Sequence, residues 1–333
     1  MKICVLGAGP WGLAIADLLV NKGYDVTVWE FDENVCRTLQ TERKIWSKLP
    51  GYKIPDEIII SNDINEAVTD SEMVINAVPT QFIRSYFDKI RDVDFTKKIV
   101  VNVSKGMEVA SGKDIRELFL SEFDTITDDN FVIVAGPSFA IEVALNKTPT
   151  AVVAASKNIE AANLVRDVFS NEYFRVYSND DVIGVEIGGS VKNILAIAAG
   201  VIDGFGLGNN TKAAMLTRGL AEMTRFGTEM GAKRETFSGL SGIGDMILTC
   251  NSSLSRNWQV GNRIAKGEKV PDIIRNMNMV AEGVETCRVV NRIAAEKNVC
   301  MPIVSMVHKV LFSGVDPKAA ITELMTREKK VED

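Results

Sequence analysis

The sequence predicts an α/β fold in two domains, with a doubly wound sheet at residues 1–178 and an all-α domain at residues 179–333. Three observations carry this prediction. A glycine-rich turn joins the first strand-like run to the first helical run, the two kinds of run then alternate up to Tyr177, and no convincing strand pattern follows Asp180. Strands that alternate with helices are typical of a parallel sheet covered by helices on both faces.

The N-terminal domain begins with a strand, a turn, a helix and a second strand. Lys2–Leu6 is a short apolar run, 11–21 has apolar residues at helical spacing, and Asp25–Trp29 alternates as a strand does. The same patterns predict further strands at 58–60, 72–77, 98–103, 131–135, 150–155 and 173–177, and helices at 80–91, 112–121 and 158–170.

The C-terminal domain is predicted to be helical throughout. Its segments have apolar residues at helical spacing, and glycine or proline separates several of them. The predicted helices are 181–200, 211–230, 240–250, 255–266, 271–276, 283–297, 302–312 and 317–326.

Composition excludes several classes of protein. The net charge of −6 argues against a nucleic-acid partner. The single histidine, His308, excludes a site that needs two histidines, and no metal site is expected. Five cysteines without a C-x-x-C pair fit reduced thiols in the cytoplasm. No signal peptide is expected because a strand-like run begins at Lys2. The longest apolar stretch, 187–202, is short for a membrane span.

Three glycines predict a dinucleotide-binding turn. Gly7-x-Gly9-x-x-Gly12 follows a strand and opens a helix, which is the context of a Rossmann-type sheet. Gly7 permits the tight turn, Gly9 lets the backbone approach a pyrophosphate, and Gly12 lets the helix pack on the strand. Free N–H groups at the helix N-terminus would face the anion. A tight turn that binds nothing is the alternative.

A carboxylate at the end of the second strand predicts NAD rather than NADP. Glu30 can accept hydrogen bonds from the ribose hydroxyls and would repel a 2′-phosphate. The alternative is a solvated carboxylate at a strand end.

A lysine lies inside an apolar stretch rich in small residues. On a helix, the neighbours of Lys192 are Gly188, Gly189, Leu195 and Ala196, none of which can neutralise an ammonium. We expect the two glycines to leave open space beside the ammonium, where a small substrate fits. A buried lysine with lowered basicity is a candidate acid/base group. The alternative is a lysine that reaches water from a helix end.

Further polar residues follow predicted strands. Lys105 comes just after a strand and can reach the crevice beyond the carboxyl ends of the sheet, or it is a surface lysine. The segment 135–140 also follows a strand and offers backbone N–H groups and the hydroxyl of Ser138 to an anion or a carbonyl, or it is a simple turn.

The C-terminal domain adds a carboxylate and a possible phosphate site. Asp245 stands in a glycine-rich apolar setting, as a helix N-cap or as the partner of a buried cation. Hydroxyls, a guanidinium, an amide and a helix start coincide at 252–257 and favour phosphate binding. The alternative there is a capped surface helix. The motif 280–283 is uninformative on its own.

These motifs make the chain resemble the bacterial NAD(P)-dependent glycerol-3-phosphate dehydrogenases over nearly its whole length. The matching blocks follow one another in a single order: G-A-G-P-W-G at 7–12, S-K-G at 104–106, A-G-P-S-F-A at 135–140, F-R-V-Y-S-N at 174–179, V-E-I-G-G-S-V-K-N at 185–193, T-R-G-L-A-E-M at 217–223, S-G-I-G-D-M-I-L-T-C at 241–250, S-R-N at 255–257 and V-A-E-G at 280–283.

The resemblance implies a cytoplasmic homodimer that interconverts sn-glycerol 3-phosphate and dihydroxyacetone phosphate for phospholipid synthesis. It implies that Lys192 gives and takes the proton. It assigns substrate contacts to Lys105, Gly136, Ser138, Asp245, Ser255, Arg256 and Asn257. It assigns cofactor contacts to Pro10, Trp11, Lys105, Ala140, Arg256, Val280 and Glu282.

Two other functions stay open at this point. One is a dehydrogenase of the same plan that acts on a 3-hydroxy acid, against which the Ser-Arg-Asn cluster at 255–257 argues. The other is a dinucleotide sensor without catalysis, against which the joint presence of Lys105, Lys192 and Asp245 argues.

Overall fold

An eight-stranded sheet forms the N-terminal half of the chain. The computed structural model describes residues 1–45, 49–277, 279–329 and 331. The predicted strands are all present, with ends within two residues of the prediction: β1 (Lys2–Leu6), β2 (Asp25–Trp29), β3 (Ile59–Ser61), β4 (Met73–Asn76), β5 (Ile99–Asn102), β6 (Phe131–Ala135), β7 (Thr150–Ala155) and β8 (Phe174–Asn179). They lie side by side in the order β3-β2-β1-β4-β5-β6-β7-β8.

The prediction of a fully parallel sheet is wrong at one edge. β6 and β7 pair antiparallel, with Val134 opposite Ala154, and β8 then runs parallel to β7. The connection between β6 and β7 contains only the five-residue helix α6 (Ala140–Ala144). That helix spans about 8 Å, whereas a return along a strand of this length needs about 20 Å. The chain therefore enters β7 at the near end of β6.

Helices cover both faces of the sheet. They are α1 (Pro10–Val20), α2 (Glu33–Glu42), α3 (Ile64–Thr69), α4 (Arg84–Phe87), α5 (Ile115–Glu122), α6 and α7 (Ile159–Phe169). The predicted helix at 80–91 is a single α-turn, α4, between two 3₁₀ turns. Its apolar residues still point into the core at helical spacing, namely Ile83, Tyr86, Phe87 and Ile90. The spacing therefore identified the buried face correctly. The backbone hydrogen bonds, however, follow the 3₁₀ pattern on both sides of α4.

The predicted C-terminal helices are all present. They are α8 (Val182–Gly204), α9 (Gly208–Glu229), α10 (Asp245–Cys250), α11 (Arg256–Ala265), α12 (Val270–Arg275), α13 (Glu282–Glu296), α14 (Pro302–Phe312) and α15 (Pro317–Met325). Where one helix was predicted at 240–250, a π-helical turn, Leu240–Gly244, precedes α10. Past Asn179 the described residues contain no strand. The chain thus has an N-terminal α/β sheet and a helical C-terminal domain, as predicted.

Two residues, Asp180 and Asp181, separate the last strand from α8. Asp181 accepts a hydrogen bond from Gly184 N and caps α8. The predicted division into domains at 178/179 falls beside this turn, and it stays a prediction.

α8 is the central helix of the C-terminal domain. By length and composition it is the one helix among the described residues that could cross a membrane, but 89% of its apolar window is buried inside the protein. α9, α10, α11, α13 and α14 pack around it. A core helix of this kind needs no polar face, which explains its nearly continuous apolar sequence.

Candidate active site

The three predicted glycines of the dinucleotide turn have the expected geometry. Gly7 has φ +107°, and a Cβ there would lie 3.1 Å from Ala77 O. Gly9 caps α1, and nothing lies within 4 Å of an added Cβ, so its outer side is open to a ligand backbone. A Cβ on Gly12 would lie 2.1 Å from Gly7 O, which explains why this helix position is a glycine.

The next two residues start helix α1. Pro10 occupies its first turn, where an N–H has no acceptor within the helix, so proline costs the helix nothing. The ring also removes one N–H that an anion could have used. Trp11 is half-buried and packs against the apolar core on one face of the sheet.

Glu30 stands just past the end of β2. Glu30 is 8% exposed. Its N–H donates to Ser61 O over 2.9 Å, and its carboxylate accepts from Asp32 N over 3.2 Å. Two strands, β1 and β4, separate β2 from β5. At the usual strand spacing, Glu30 therefore stands about 14 Å across the sheet from residues that follow β5.

A buried cluster joins two lysines through one carboxylate. Lys192 Nζ donates to Asp245 Oδ1 over 2.5 Å and to Thr249 Oγ1 over 2.7 Å. Lys105 Nζ donates to Asp245 Oδ2 over 2.8 Å and to Gly136 O over 3.2 Å. Lys192 is only 5% exposed and Asp245 only 1%. The sheet and the helical domain therefore meet at the carboxylate of Asp245.

Burial and charge set the protonation of this cluster. Burial is the largest influence on Lys192 and lowers its pKa to about 7, with Asp245 opposing the shift and Lys105 adding to it. For Asp245, burial alone would raise the pKa, but the charges of Lys105 and Lys192 hold the pKa below its ordinary value. An ammonium poised near neutral pH beside a fixed carboxylate can both give and take a proton.

The expected open space beside Lys192 is absent, and this prediction is wrong. A Cβ on Gly188 would lie 2.5 Å from Ser241 O, so the π-helical turn before α10 occupies that side. A Cβ on Gly189 would lie 3.5 Å from Lys105 Cγ, so the stem of Lys105 fills the other side. The lack of a side chain at Gly188 thus lets the turn before Asp245 pack against α8. The side chain of Lys105 packs against Gly189.

The predicted segment after β6 reaches the lysine cluster. Gly136 accepts from Lys105 through its carbonyl, and Ser138 Oγ donates to the same carbonyl over 3.1 Å. Ala140 begins α6 and packs against the core of the sheet. Ser138 is partly exposed, and its hydroxyl and the ammonium of Lys105 share the carbonyl of Gly136.

Ser255 and Asn257 are already engaged within the protein. Ser255 caps α11 by accepting from Trp258 N over 3.2 Å. Asn257 Nδ2 donates to Asn193 Oδ1 over 2.9 Å, and Asn257 Oδ1 accepts from Gly283 N over 2.9 Å. The residues predicted to bind phosphate therefore also connect α8, α11 and α13 beside Lys192.

Arg256 and Glu282 form a second group of charged side chains, both partly buried, near the crevice. Arg256 Nη1 donates to Val280 O over 2.7 Å, and burial lowers the pKa of its guanidinium. Glu282 Oε1 accepts from Thr80 N over 3.1 Å, and burial raises the pKa of Glu282 to about 7. Its other oxygen is buried without a hydrogen bond in the described part of the chain and faces Gly106.

Two residues of the lysine cluster were not assigned from the sequence. Thr249 follows Asp245 by one helical turn, so i, i+4 spacing on α10 was the available signal. Asn193 is the neighbour of Lys192 on α8, and its amide bonds Gly189 O and Asn257. No local pattern predicts the second contact because α11 lies far away in sequence.

Comparisons with known proteins identify the family of the chain. The model described as NAD-dependent glycerol-3-phosphate dehydrogenase N-terminus matches residues 2–162, and the corresponding C-terminus model matches residues 181–322. A glycerol-3-phosphate dehydrogenase [NAD(P)+] of Chlorobium limicola is 46% identical over 100% of this chain and 99% of its own length. One of Lysinibacillus sphaericus is 46% identical over 99% of this chain and 98% of its own.

Solved structures show the same fold. The crystal structure of glycerol-3-phosphate dehydrogenase from Coxiella burnetii superposes with a TM-score of 0.93 at 34% identity, over 98% of this chain and 99% of that one. A D-mandelate dehydrogenase superposes with a TM-score of 0.62 at 11% identity, over 96% of this chain and 100% of that one, which is a likeness of fold alone.

Proposed function

The chain belongs to the NAD-dependent glycerol-3-phosphate dehydrogenase family, and from this premise we propose that it interconverts dihydroxyacetone phosphate and sn-glycerol 3-phosphate. The single observation that carries the chemistry is the buried Lys105–Asp245–Lys192 cluster at the carboxyl edge of a dinucleotide-binding sheet. Relatives that cover the whole chain are named for the same reaction with NAD(P)+.

The turn at 7–12 fits a dinucleotide. The open side of Gly9 and the N-terminus of α1 suit a pyrophosphate, and Glu30 suits the adenosine ribose. When bound, the nicotinamide supplies the hydride in one direction and accepts it in the other. We assign further contacts with this cofactor to Pro10, Trp11, Lys105, Ala140, Arg256, Val280 and Glu282. The buried free oxygen of Glu282 supports its place in that set.

Lys192 is the acid/base group in this proposal. During reduction its ammonium donates a proton to the oxygen on C2 of the substrate as negative charge develops there. During oxidation the neutral amine takes the proton from the hydroxyl. A pKa of about 7 leaves both forms populated near neutral pH, which supports the role.

Asp245 and Lys105 prepare Lys192 for this step. Asp245 fixes the direction of the Lys192 amine and keeps part of its basicity, while Lys105 lowers it. Lys105 and Ser138 are partly exposed and both donate to the carbonyl of Gly136, so we infer that the substrate carbonyl approaches from their side. We assign Asp245, Lys105, Gly136 and Ser138 to substrate binding.

The phosphate of the substrate is assigned to the start of α11. Arg256 would supply positive charge, and the N-terminus of α11 favours an anion. Ser255 and Asn257 are assigned to the same group. Because both already make hydrogen bonds within the protein, we expect them to hold the turn in place as well as to contact the phosphate. Binding energy at the phosphate is remote from the reacting carbon and serves to position it.

The wider setting of the reaction is also a proposal. We expect a homodimer in the cytoplasm whose product, sn-glycerol 3-phosphate, supplies phospholipid synthesis. The resemblance of the whole chain to the bacterial enzymes supports this setting. Gel filtration with light scattering tests the dimer.

The test of function is NADH oxidation with dihydroxyacetone phosphate, compared for the unmodified chain and two lysine variants. Lys192→Ala is expected to lower kcat by about 10³-fold, the usual contribution of a general acid, with NADH binding nearly intact. Lys212→Ala is the matched control, since Lys212 also pairs with an aspartate, Asp203, on α8. Turnover of Lys192→Ala within a few-fold of the unmodified chain would eliminate the proposed acid/base role. A panel of 3-keto acids in place of the phosphate ester would detect the alternative substrate class.

A further inference from the structure

Glu186 is a buried acidic residue on α8, the helix that also carries Lys192. Glu186 is 5% exposed, and its Oε1 accepts from Ile115 N over 2.8 Å and from Arg116 N over 3.3 Å. Asp114 is the N-cap of α5 and accepts from Glu117 N, and Glu186 accepts from the two N–H groups of the first turn that Asp114 leaves without an acceptor. Glu186 and Lys192 are six residues apart on α8, a rise of about 9 Å. One rigid helix therefore holds both the proton-transfer group and a carboxylate that binds the start of α5.

The start of α5, where Glu186 binds, is also the end of the loop 103–114 that carries Lys105. The loop 103–114 folds back on itself, because Met107 pairs with Asp114 and Glu108 N donates to Lys113 O over 2.9 Å. Met107 is 3% exposed and packs in the same apolar cluster as Ile187 and Val191 of α8. An anchor at the start of α5 therefore also fixes Met107, two residues after Lys105.

The position of Lys105 affects the proton affinity of Lys192. Lys105 shares the carboxylate of Asp245 with Lys192, and its charge lowers the pKa of Lys192. The titratable groups around Lys192 are Lys105 from the loop after β5, and Asp245 and Cys250 from α10. If Lys105 moved away, Asp245 would act on Lys192 alone and the pKa of Lys192 would rise.

We propose that Glu186 is a positioning residue: by binding the start of α5 it holds the loop 103–114 against α8 and so keeps Lys105 beside Asp245 and Lys192. The inference rests on the proposed function, because only then does the proton affinity of Lys192 govern turnover.

The surroundings of Glu186 indicate which substitution retains its hydrogen bonds to the start of α5. Its Oε2 is buried without a hydrogen-bond partner among the described residues. Burial, and then the carboxyl of Asp114, raise the pKa of Glu186 well above its ordinary value, against the opposing charge of Arg116. Burial, and then Glu117, raise the pKa of Asp114 to about 6. Glutamine reproduces the neutral form of Glu186 and adds an N–H that Asp114 can accept.

The experiment compares Glu186→Ala and Glu186→Gln with the loss of a matched carboxylate elsewhere. Glu222 on α9 likewise accepts from two N–H groups in the first turn of another helix, from Ile303 N over 2.8 Å and Val304 N over 3.2 Å of α14, whose N-cap residue makes no side-chain hydrogen bond of its own. None of the residues assigned to substrate or cofactor lies on α14. Glu222→Ala therefore measures the effect of losing a buried carboxylate at a helix start as such.

The pKa of Lys192 is measured in two ways, from the pH dependence of kcat with dihydroxyacetone phosphate and by NMR of ¹⁵N-labelled lysine side chains. Glu186→Ala is expected to raise this pKa by about half a unit and to lower kcat/KM about tenfold through misplacement of Lys105. Glu186→Gln is expected to match the unmodified chain in both. Glu222→Ala is expected to lower the melting temperature without moving the pKa.

A variant that folds more readily gives the same test. Glu186→Asp keeps the carboxyl group but shortens the reach to the N–H groups, so a smaller rise of the pKa of Lys192 is expected. An unchanged pKa in both Glu186→Ala and Glu186→Asp, with activity falling only as the folded fraction falls, would overturn the positioning role. If the unmodified chain failed to oxidise NADH with dihydroxyacetone phosphate, the proposed function would be lost, and the NMR titration would still decide the positioning role.

Discussion

Lys192 and Asp245 are hydrogen-bonded over 2.5 Å although 53 positions separate them in the chain. α8 supplies the lysine and α10 supplies the carboxylate, and both are almost completely buried. Burial disfavours the ammonium, and the carboxylate restores part of its stability. This pair converts a costly buried cation into a group that changes charge near neutral pH.

Removal of the carboxylate should move the pH dependence to lower pH. In Asp245→Asn, Lys192 loses the charge that raises its pKa, so that pKa should fall by about one unit. The reduction needs the ammonium form, so kcat should decline at lower pH than in the unmodified chain. The pH profile of kcat with saturating NADH measures the shift. Asp203→Asn is the control, because Asp203 on α8 pairs with Lys212 instead of Lys192. A profile of Asp245→Asn that does not move would refute the coupling.

The hydroxyl of Thr249 should matter for turnover. Thr249→Val keeps the shape of the side chain but leaves a hydrogen of the Lys192 ammonium without its acceptor. Hydrogen bonds to charged groups contribute about 1.5–3 kcal/mol, so kcat should fall about 10- to 100-fold. Steady-state kinetics measures the loss. Thr249→Ser keeps the hydroxyl and should retain most activity; equal losses in both variants would contradict the hydrogen-bond explanation.

Two adjacent glycines of α8 should respond differently to alanine. A methyl at Gly188 meets Ser241 O at 2.5 Å and must push the turn before Asp245 away from α8. Such overpacking costs about 1–3 kcal/mol in free energy of unfolding, and it should also separate Asp245 from Lys192 and lower kcat.

The matched control is Gly189→Ala, whose methyl would lie at ordinary contact distance from Lys105. Denaturant unfolding and kinetics of the two variants measure the difference. Equal stability and activity of Gly188→Ala and Gly189→Ala would show that the close approach at Gly188 is relieved elsewhere.

Glu30 should select NADH over NADPH. Its carboxylate stands at the end of β2, where a 2′-phosphate would add a second negative charge. Glu30→Ala should raise kcat/KM for NADPH about tenfold relative to NADH, since 1.4 kcal/mol of repulsion corresponds to that factor. Glu33→Ala, which removes an exposed neighbouring carboxylate paired with Arg37, is the control. A clear preference of the unmodified chain for NADPH would show that another group outweighs Glu30.

The strands and most helices could be predicted because their signals are local. Periodicity of 2 or 3.6 in apolar residues reports which side chains face a core, and Gly7 to Gly12 report a turn whose geometry only glycine permits. The antiparallel pairing of β7 with β6 could not be predicted, because the direction of a strand is not a local property. Strand direction depends on the length and path of the segment 136–149, whereas the strand pattern itself reads the same in both directions.

The sequence by itself determined that Lys192 lies among small apolar residues, that a dinucleotide turn precedes it and that a Ser-Arg-Asn cluster follows it. Only the tertiary structure decided how its charge is balanced. Asp245, Lys105 and Thr249 reach Lys192 from separate elements, and their distances follow from the packing of α8 against α10 and the loop after β5. Gly188 and Gly189 illustrate the difference: the absence of side chains is visible in the sequence, but the atoms that occupy the space belong to residues remote along the chain.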